Sequence, residues 1–301
     1  MRSTTFAACA ALGLTTAMTC SASESDWQPV AAALGKAGTE MPGGVYRIGL
    51  PRSDLHVMVD GVMIRPTLAL GSWLAFRQES GATVVMGDLV LTETEIAPVM
   101  AKLAENGIEI TALHNHLLRA SPATFYMHVH GHGDGPTLAA ALHDGLALSH
   151  TPLAAPSSSA PPASAAATTL PELDTAMLDR TFGVKGRIVD GVYQVGIPRS
   201  EVVRDDGMEV PVAMGSAEAI GFQPTGNGRA AITGDFVLTA AEVNPLLRTL
   251  ERNHIEVTAL HNHMLMDEPR LFFMHFWAND DAQALAKGLR EALDKIGIRR
   301  S

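Results

Sequence analysis

The sequence predicts an α+β protein of two tandem homologous repeats, each a mainly antiparallel sheet covered by helices, related by a pseudo-twofold axis. Three observations predict this fold class. The 301-residue chain matches itself when shifted by 147 residues, most clearly where residues 111–116 and 258–263 both read TALHNH. Each half carries short strand-like runs followed by helix-like patterns. A stretch rich in Ala, Pro, Ser and Thr at 149–170 separates the halves and is typical of a linker.

The N-terminal segment at 1–23 is predicted to be a secretory signal peptide. Arg2 supplies the positive charge, and the apolar or small-residue run at 6–19 is too short to span a bilayer. Cys9 and Cys20 both lie in this segment, so we expect a mature chain without disulfides. Cys20 is, alternatively, a lipid-anchored first residue. We therefore expect an exported protein, periplasmic or extracellular, that is either secreted or held as a lipoprotein and has no transmembrane helix in its mature chain.

The remaining composition is that of a folded protein. Hydrophobic residues make up 47% and charged residues 18% of the sequence, which excludes a disordered chain and leaves enough apolar material for two cores. We expect repeat domains at 24–148 and 171–301, joined by the linker at 149–170. These domains either pack about the pseudo-twofold axis or exchange elements across it.

The formal net charge of −10 argues against nucleic acid as a partner, because phosphate binding needs a basic surplus.

Both repeats show the same order of predicted elements. Runs rich in β-branched residues at 45–50 and 192–197 predict one strand in each repeat. Capping-box patterns begin at Thr92 and Thr239, and the apolar spacing that follows predicts a helix. We also expect strands near 55–64, 73–77 and 83–91, a strand pair at 108–118 and 124–131, and last helices around 137–148 and 282–296.

Histidine carries the predicted chemistry. His114 and His116 are two residues apart on a predicted strand, so their side chains are expected on one face of the sheet. The next strand repeats this spacing, and a hairpin of the two strands could bring five imidazoles together. Neutral imidazole binds zinc, copper and nickel, so we expect a divalent transition metal, zinc or copper, as cofactor and partner. The candidate ligands are His114, His116, His128, His130 and His132 in the first repeat, and His261, His263 and His275 in the second.

Acidic residues are weaker candidates, and each has a structural alternative. Asp88, with its counterpart Asp235, follows a glycine and could serve as a ligand or general base, although a role in a turn is favoured. Asp134, with its counterpart Asp281, could be an oxygen ligand or could orient a histidine. A role in a turn is favoured for this pair as well.

Two arginines follow a proline at a predicted strand end. Arg52 and Arg199 could clamp a carboxylate or phosphate with two hydrogen bonds each. An ion pair, with Asp54 for the first and Glu201 for the second, is the favoured interpretation.

The TALHNH run, followed by a proline and then by Met-His, resembles the bacterial LppY/LpqO family of exported proteins. The Pro-Arg-Ser and Gly-Asp-x-Val-Leu elements resemble the same family. The resemblance covers nearly all of both repeats. It implies export, often as a lipoprotein, and it brings no catalytic residues, because the function of that family is undefined.

Three functions fit these observations. The first is a metal-binding or metal-buffering protein of the cell envelope. The second is a zinc-dependent hydrolase of unknown substrate, in which three histidines hold the ion and Asp88 or Asp134 accepts a proton. The third is a non-enzymatic interaction scaffold whose histidines form a hydrogen-bond network. The sequence identifies no protein partner. Ring nitrogens gathered at one point favour the first two functions, and rings bonded singly to the backbone favour the third.

Overall fold

The computed structural model describes residues 27–153, 170 and 172–299. The predicted signal peptide, including both cysteines, and most of the predicted linker lie outside the described residues. Within the described ranges the predicted fold class is confirmed, because the chain forms two tandem repeats, each with a large antiparallel sheet and helices.

The first repeat contains eight strands and four helices in the described part of the chain. They are α1 (Gln28–Leu34), β1 (Thr39–Met41), β2 (Val45–Pro51), β3 (Met58–Val59), β4 (Val62–Met63), α2 (Pro66–Ala69), β5 (Gly71–Glu79), β6 (Ala82–Thr92), α3 (Glu93–Glu105), β7 (Glu109–His114), β8 (Thr124–Gly133) and α4 (Gly135–Leu146). Six of the strands form one antiparallel sheet in the order β1-β2-β5-β6-β8-β7.

The second repeat builds the same sheet from equivalent strands. Its elements are α5 (Thr175–Phe182), β9 (Arg187–Val189), β10 (Val192–Pro198), β11 (Arg204–Asp205), β12 (Met208–Glu209), a 3-10 turn (Val212–Met214), β13 (Ala217–Gly226), β14 (Arg229–Thr239), α6 (Ala240–Arg252), β15 (Glu256–His261), β16 (Asp267–Glu268), β17 (Leu271–Asp281) and α7 (Ala282–Leu293). The order β9-β10-β13-β14-β17-β15 reproduces that of the first sheet.

The two sheets face each other, and the helices cover their outer faces. Alternation along β6 shows this arrangement, since Leu89 packs under the helices with Leu103 of α3. The next residue, Val90, points the other way and packs in one cluster with Ala231 and Trp277 of the second repeat. The fold therefore has four layers, helix–sheet–sheet–helix. A strand buried on both faces reads as a nearly continuous apolar run, as β6 does.

Each repeat also extends an arm across the sheet of the other. The arm of the first repeat, residues 52–70, buries Ile64 in the cluster that contains Trp277. The corresponding arm of the second repeat buries Met214 against Met86 of the first. Side-chain hydrogen bonds secure the crossing: the Gln223 amide accepts from the backbone N–H of Arg65 at 2.9 Å and donates to the carbonyl of Met63 at 2.8 Å. The repeats therefore pack about an axis and exchange short arms across it.

Two predicted strands differ from the structure. The strand expected near 55–64 is two strands of two residues each, because this segment belongs to the crossing arm. The strand expected at 108–118 ends at His114, after a register shift between Ile110 and Ala112. Both capping boxes are confirmed, and the Glu95 carboxylate accepts from the backbone N–H of Thr92 at 2.8 Å.

The favoured ion pairs of the two arginines are confirmed, but they are buried and larger than predicted. Arg52 has no exposed side-chain surface. It donates to Asp54 at 2.8 Å and also to Glu95, the capping-box residue of α3, at 2.9 Å. Arg199 makes the same contacts with Glu201 and Glu242. These guanidinium groups therefore join the end of β2 to α3 and the end of β10 to α6, and they are not available to a ligand.

Candidate metal centre

Six histidines meet between the two sheets, three from each repeat. His114 is the last residue of β7, and His116 lies two residues beyond it, where the chain has left the sheet. His128 lies on the neighbouring strand β8, where its backbone pairs with that of Asp88 on β6. The second repeat places its three histidines at the equivalent points: His261, His263 and His275.

The rings stack in pairs, and each pair joins one repeat to the other. The distance between ring centroids is 3.4 Å for His114 and His261, 3.7 Å for His116 and His275, and 3.7 Å for His128 and His263. A twofold rotation that superposes one repeat on the other places the His116–His275 pair on the His263–His128 pair. The same rotation places the His114–His261 pair on itself. The equal distances therefore agree with the predicted pseudo-twofold axis, and they place the first pair on it.

The Nε2 atoms of all six histidines are buried and have no hydrogen-bond partner within the described ranges. At three of the rings the other nitrogen faces a backbone carbonyl, at 3.3 Å for His114, 3.2 Å for His261 and 2.9 Å for His275. A proton on Nδ1 satisfies these carbonyls and leaves a lone pair on Nε2. Each buried polar atom without a partner costs about 1–3 kcal/mol. Six such atoms at one point therefore fit a bound cation.

Two carboxyl groups face the histidines, one from each repeat. Asp88 lies 4.0 Å from Nε2 of His116 and 3.8 Å from Nε2 of His128. Asp235 lies 3.7 Å from Nε2 of His263. One oxygen of each carboxyl is buried without a partner in the described structure. Both residues lie in the middle of a strand, so the favoured interpretation of this pair as turn residues is wrong.

Burial determines the charge state of the cluster without metal. It lowers the pKa of His114 to about 3 and of His261 to about 4, and lowers the pKa of the other four histidines well below the ordinary value. Burial raises the pKa of Asp88 to about 8 and that of Asp235 well above its ordinary value. The imidazoles are therefore neutral at neutral pH, which is the form that binds a metal.

Two groups of ring nitrogens are close enough to hold one ion each, and they share a residue. Within each group all ligand atoms lie within 4.8 Å of one another. Four nitrogens around zinc lie about 3.3 Å apart at Zn–N distances of ~2.0–2.1 Å, so small side-chain movements close either group. The groups are His114, His261, His263 and His275, and His114, His116 and His128.

Three predicted site residues lie elsewhere. Nδ1 of His130 is 3.2 Å from a Glu109 carboxylate oxygen, and the side chain of His132 is exposed. These histidines share a strand with His128, but the cluster is completed by the second repeat and not by further residues of β8. The convergence of five imidazoles within the first repeat is therefore wrong. Asp134 caps α4 and accepts from the backbone N–H of Thr137 at 3.1 Å, as expected for a turn residue and unlike a proton acceptor at the histidines.

A cavity of about 770 Å³ between the repeats reaches one side of the cluster. His128, His263, Asp88 and Asp235 line its inner end. A volume of this size is within the range of small-molecule sites, ~300–1,000 Å³. The centre is therefore accessible to a ligand, although most of its rings are buried.

Sequence reasoning underrated the acidic residues and missed the aromatic residues of the site. An aspartate within the apolar run of β6 is the signal that could have placed Asp88 on a buried strand. Tyr126 stacks on His116 with centroids 3.3 Å apart, and Phe273 stacks on His263 at 3.4 Å. Nothing in the spacing of these aromatic residues predicts such a role.

Comparisons with known proteins identify a family but not a function. No curated protein matches the chain significantly. The solved structures that match are a trimeric bacterial microcompartment shell protein PduB, at 11% identity, and EtuB from Clostridium kluyveri, at 9%. The first match covers 86% of this chain and 91% of PduB, the second 86% and 89% of EtuB, and both have a TM-score of 0.20, too low to support any argument.

None of the helices in the described ranges combines the length and the apolar character that crossing a bilayer requires. The family of the chain follows from a separate comparison. A family model matches the chain twice, at residues 28–148 and again at 176–295. The two matches together cover most of the chain and coincide with the two structural repeats. The chain therefore belongs to the family described as Domain of Unknown Function (DUF1259).

Proposed function

We propose that this protein binds a divalent transition-metal ion, zinc or copper, between its two repeats. The observation that carries the proposal is the convergence of six buried Nε2 atoms without partners, three from each repeat. A structural hydrogen-bond network, the third function considered above, would pair these atoms with one another or with the backbone. Imidazole donors with no competing thiolate suit zinc and copper.

The proposal assigns one shared centre to the whole chain. His114 belongs to both ligand groups, and its Nδ1 faces the carbonyl of Asn115. Only Nε2 then offers a lone pair, and one lone pair binds one ion. The two groups are therefore alternative partners of the same ring. The three-histidine group lies within the first repeat, whereas an ion held by His114, His261, His263 and His275 engages both repeats, and we assign the ion to this four-histidine group.

We place this activity in the cell envelope. The charged and apolar pattern at 1–23 and the resemblance to exported LppY/LpqO proteins support export. A lipid anchor at Cys20 would attach the protein to a membrane, and its absence would leave the protein free in the periplasm or outside the cell. Metal binding or buffering is the role that fits this location with the fewest further assumptions.

A zinc-dependent hydrolase is the second candidate, and the cavity is the observation that favours it. The cavity reaches His128 and His263, so a substrate could approach the centre. A bound zinc ion would supply Lewis acidity and a water of lowered pKa. Asp88 and Asp235, and not Asp134, lie where a carboxylate can accept a proton at the histidines.

Metal content measured after loading tests the proposal. The purified chain is incubated with zinc or copper, separated from free metal, and examined by elemental analysis. We expect about one ion per chain, and we expect the His114→Ala/His116→Ala variant to lose it. The matched control is His130→Ala/His132→Ala, the second pair with the same spacing, which should keep the ion.

Thermal unfolding of the metal-free variants separates this proposal from a structural network. Replacing the two rings by apolar rings of similar size, in His114→Phe/His116→Phe, removes the nitrogens without partners and opens no cavity, so the metal-free variant should be as stable as the wild type, or more stable. Full metal content in His114→Ala/His116→Ala would contradict the proposal. Loss of metal from both double alanine variants would also contradict it, because the second pair lies outside the cluster.

A further inference from the structure

The inter-repeat cavity is also lined by cationic side chains. Arg47 of β2 is half-buried in its wall, and Lys185 and Arg187 are exposed near or on β9. The histidines and aspartates that line the cavity are more buried than Lys185 and Arg187. The exposure of these residues therefore indicates a path from a cationic entrance to the metal centre.

These three cations form no ion pair with any carboxylate in the described part of the chain. Arg47 stacks on Trp73 at 4.0 Å and donates one hydrogen bond to the carbonyl of Ala213. Among the residues that the structure describes, its other N–H groups have no acceptor. A guanidinium in this state is ready to bind an oxyanion.

The charges near Arg47 favour an anion between it and Arg187. Burial and the neighbouring Arg187 lower the pKa of Arg47 to about 10, so that it stays charged at neutral pH but is repelled by the second cation. Burial raises the pKa of Glu218, which also lines the cavity, to about 8. The charge of Asp88 acts on Arg47 in the opposite sense to that of Arg187, and less strongly.

The cations are not part of the duplication. Arg47 pairs with Thr39 across β2 and β1, whereas the equivalent strands of the second repeat pair Gln194 with Arg187. The cation therefore lies on the second strand of the pair in the first repeat, β2, and on the first strand of the equivalent pair in the second repeat, β9. Both pairs line the same cavity, so each repeat contributes a cation from a different position. The duplicated histidines, by contrast, are the same in both repeats.

We infer that the cavity binds a small organic oxyanion, a carboxylate or a phosphate monoester, between Arg47 and Arg187, with the rest of the molecule directed toward His128 and His263. Only the metal-facing end of this inference rests on the proposed function. The cationic end depends on residues that are not metal ligands, so the two are tested separately.

Isothermal titration calorimetry with phenyl phosphate and with benzoate tests the inference on metal-free and on zinc-loaded full chain. We expect at least one probe to bind the wild type in both states. Lys185→Gln/Arg187→Gln should weaken its Kd at least about tenfold, as should Arg47→Gln, which installs the residue of the second repeat. The control Lys102→Gln/Arg180→Gln removes the same charges from outside the cavity and should change the Kd less than about twofold.

Each result decides between stated alternatives. Tighter binding of phenyl phosphate assigns a phosphate ligand, and tighter binding of benzoate assigns a carboxylate. Failure of both probes in both metal states overturns the inference, as does binding that Lys185→Gln/Arg187→Gln leaves unchanged. Binding that requires zinc and has the same Kd in the Lys185→Gln/Arg187→Gln and Arg47→Gln variants overturns the cationic site but agrees with the metal centre. Binding to a chain that takes up no metal supports the cationic site and contradicts the proposed function.

Discussion

The two repeats agree in the residues of the histidine cluster and differ immediately around them. Each contributes three histidines and one aspartate at equivalent positions. Among the residues that contact the cluster, Tyr126 of the first repeat corresponds to Phe273 of the second, and each stacks on a histidine of its own repeat. Further along the strand, His130 lies beside Glu109, whereas Trp277 at the equivalent position donates to Asp60 across the interface at 3.0 Å.

This difference indicates which residues the site needs in duplicate. Packing neighbours have diverged between the repeats, but no histidine of the cluster has been replaced. A site contained within one repeat would tolerate loss of the histidines in the other. Because the rings stack across the interface, the six histidines form one cluster to which each repeat contributes half.

The strongest way to test this comparison is to remove one on-axis histidine at a time. We expect His114→Ala and His261→Ala each to weaken zinc affinity of the whole chain by at least about 100-fold, because both rings belong to the same centre. Competition with a chromophoric chelator measures the affinity, with His130→Ala as the single-residue control. Two independent half-sites would instead leave each variant with about half the ions at unchanged affinity.

Sequence reasoning reached the repeats and most of the ligands because both leave local signals. The self-match and the His-x-His spacing are visible in the chain itself. The end of the strand at His114 is not visible in the sequence, because the register shift between Ile110 and Ala112 arises in the pairing with β8 and the chain beyond His114 pairs with the arm, at Ser121 and Met58.

The joining of two triads into one cluster was not predictable for a physical reason. Periodicity shows which side chains share a face of a sheet, but it does not show what that face packs against. His128 and His130 share a strand and a periodicity, and only the position of the second repeat separates them. Asp88 was underrated because its strand position beside His116 and His128 depends on the pairing of β6 with β8, which spacing alone does not show.

The buried ion-pair networks offer a second comparison, in which we expect equal behaviour. Glu95 and Glu242 each accept from a buried arginine, and hydrogen bonds and charge from these arginines lower the pKa of both, that of Glu95 to about 2. Glu95→Gln should destabilise the metal-free chain by about 2 kcal/mol at pH 7, measured by urea unfolding.

The pH dependence of this effect has a definite sign. A pKa held below its ordinary value of 4.5 contributes stability that is complete above about pH 4.5 and is lost as the pH falls toward 2. The difference between wild type and Glu95→Gln should therefore shrink over that range, and Glu242→Gln should show the same trend. A difference that persists unchanged to pH 2 would assign the effect to packing.

The smallest expected effect concerns a position where the repeats use different groups for one hydrogen bond. The backbone N–H of Val90 donates to the Ser72 hydroxyl at 2.7 Å, and that of Val237 donates to the Glu218 carboxyl at 2.7 Å. The second oxygen of Glu218 is buried without a partner in the described structure, and burial raises its pKa to about 8.

The raised pKa of Glu218 means that wild-type stability falls as pH rises from about 4.5 through 8, since the folded state must then hold a buried charge. Glu218→Ser, which copies the first repeat, should stabilise the metal-free chain by about 1 kcal/mol at pH 7 and by more at pH 9 in urea unfolding. A gain independent of pH, or a loss, would mean that the carboxyl has acquired a partner that the first repeat does not need.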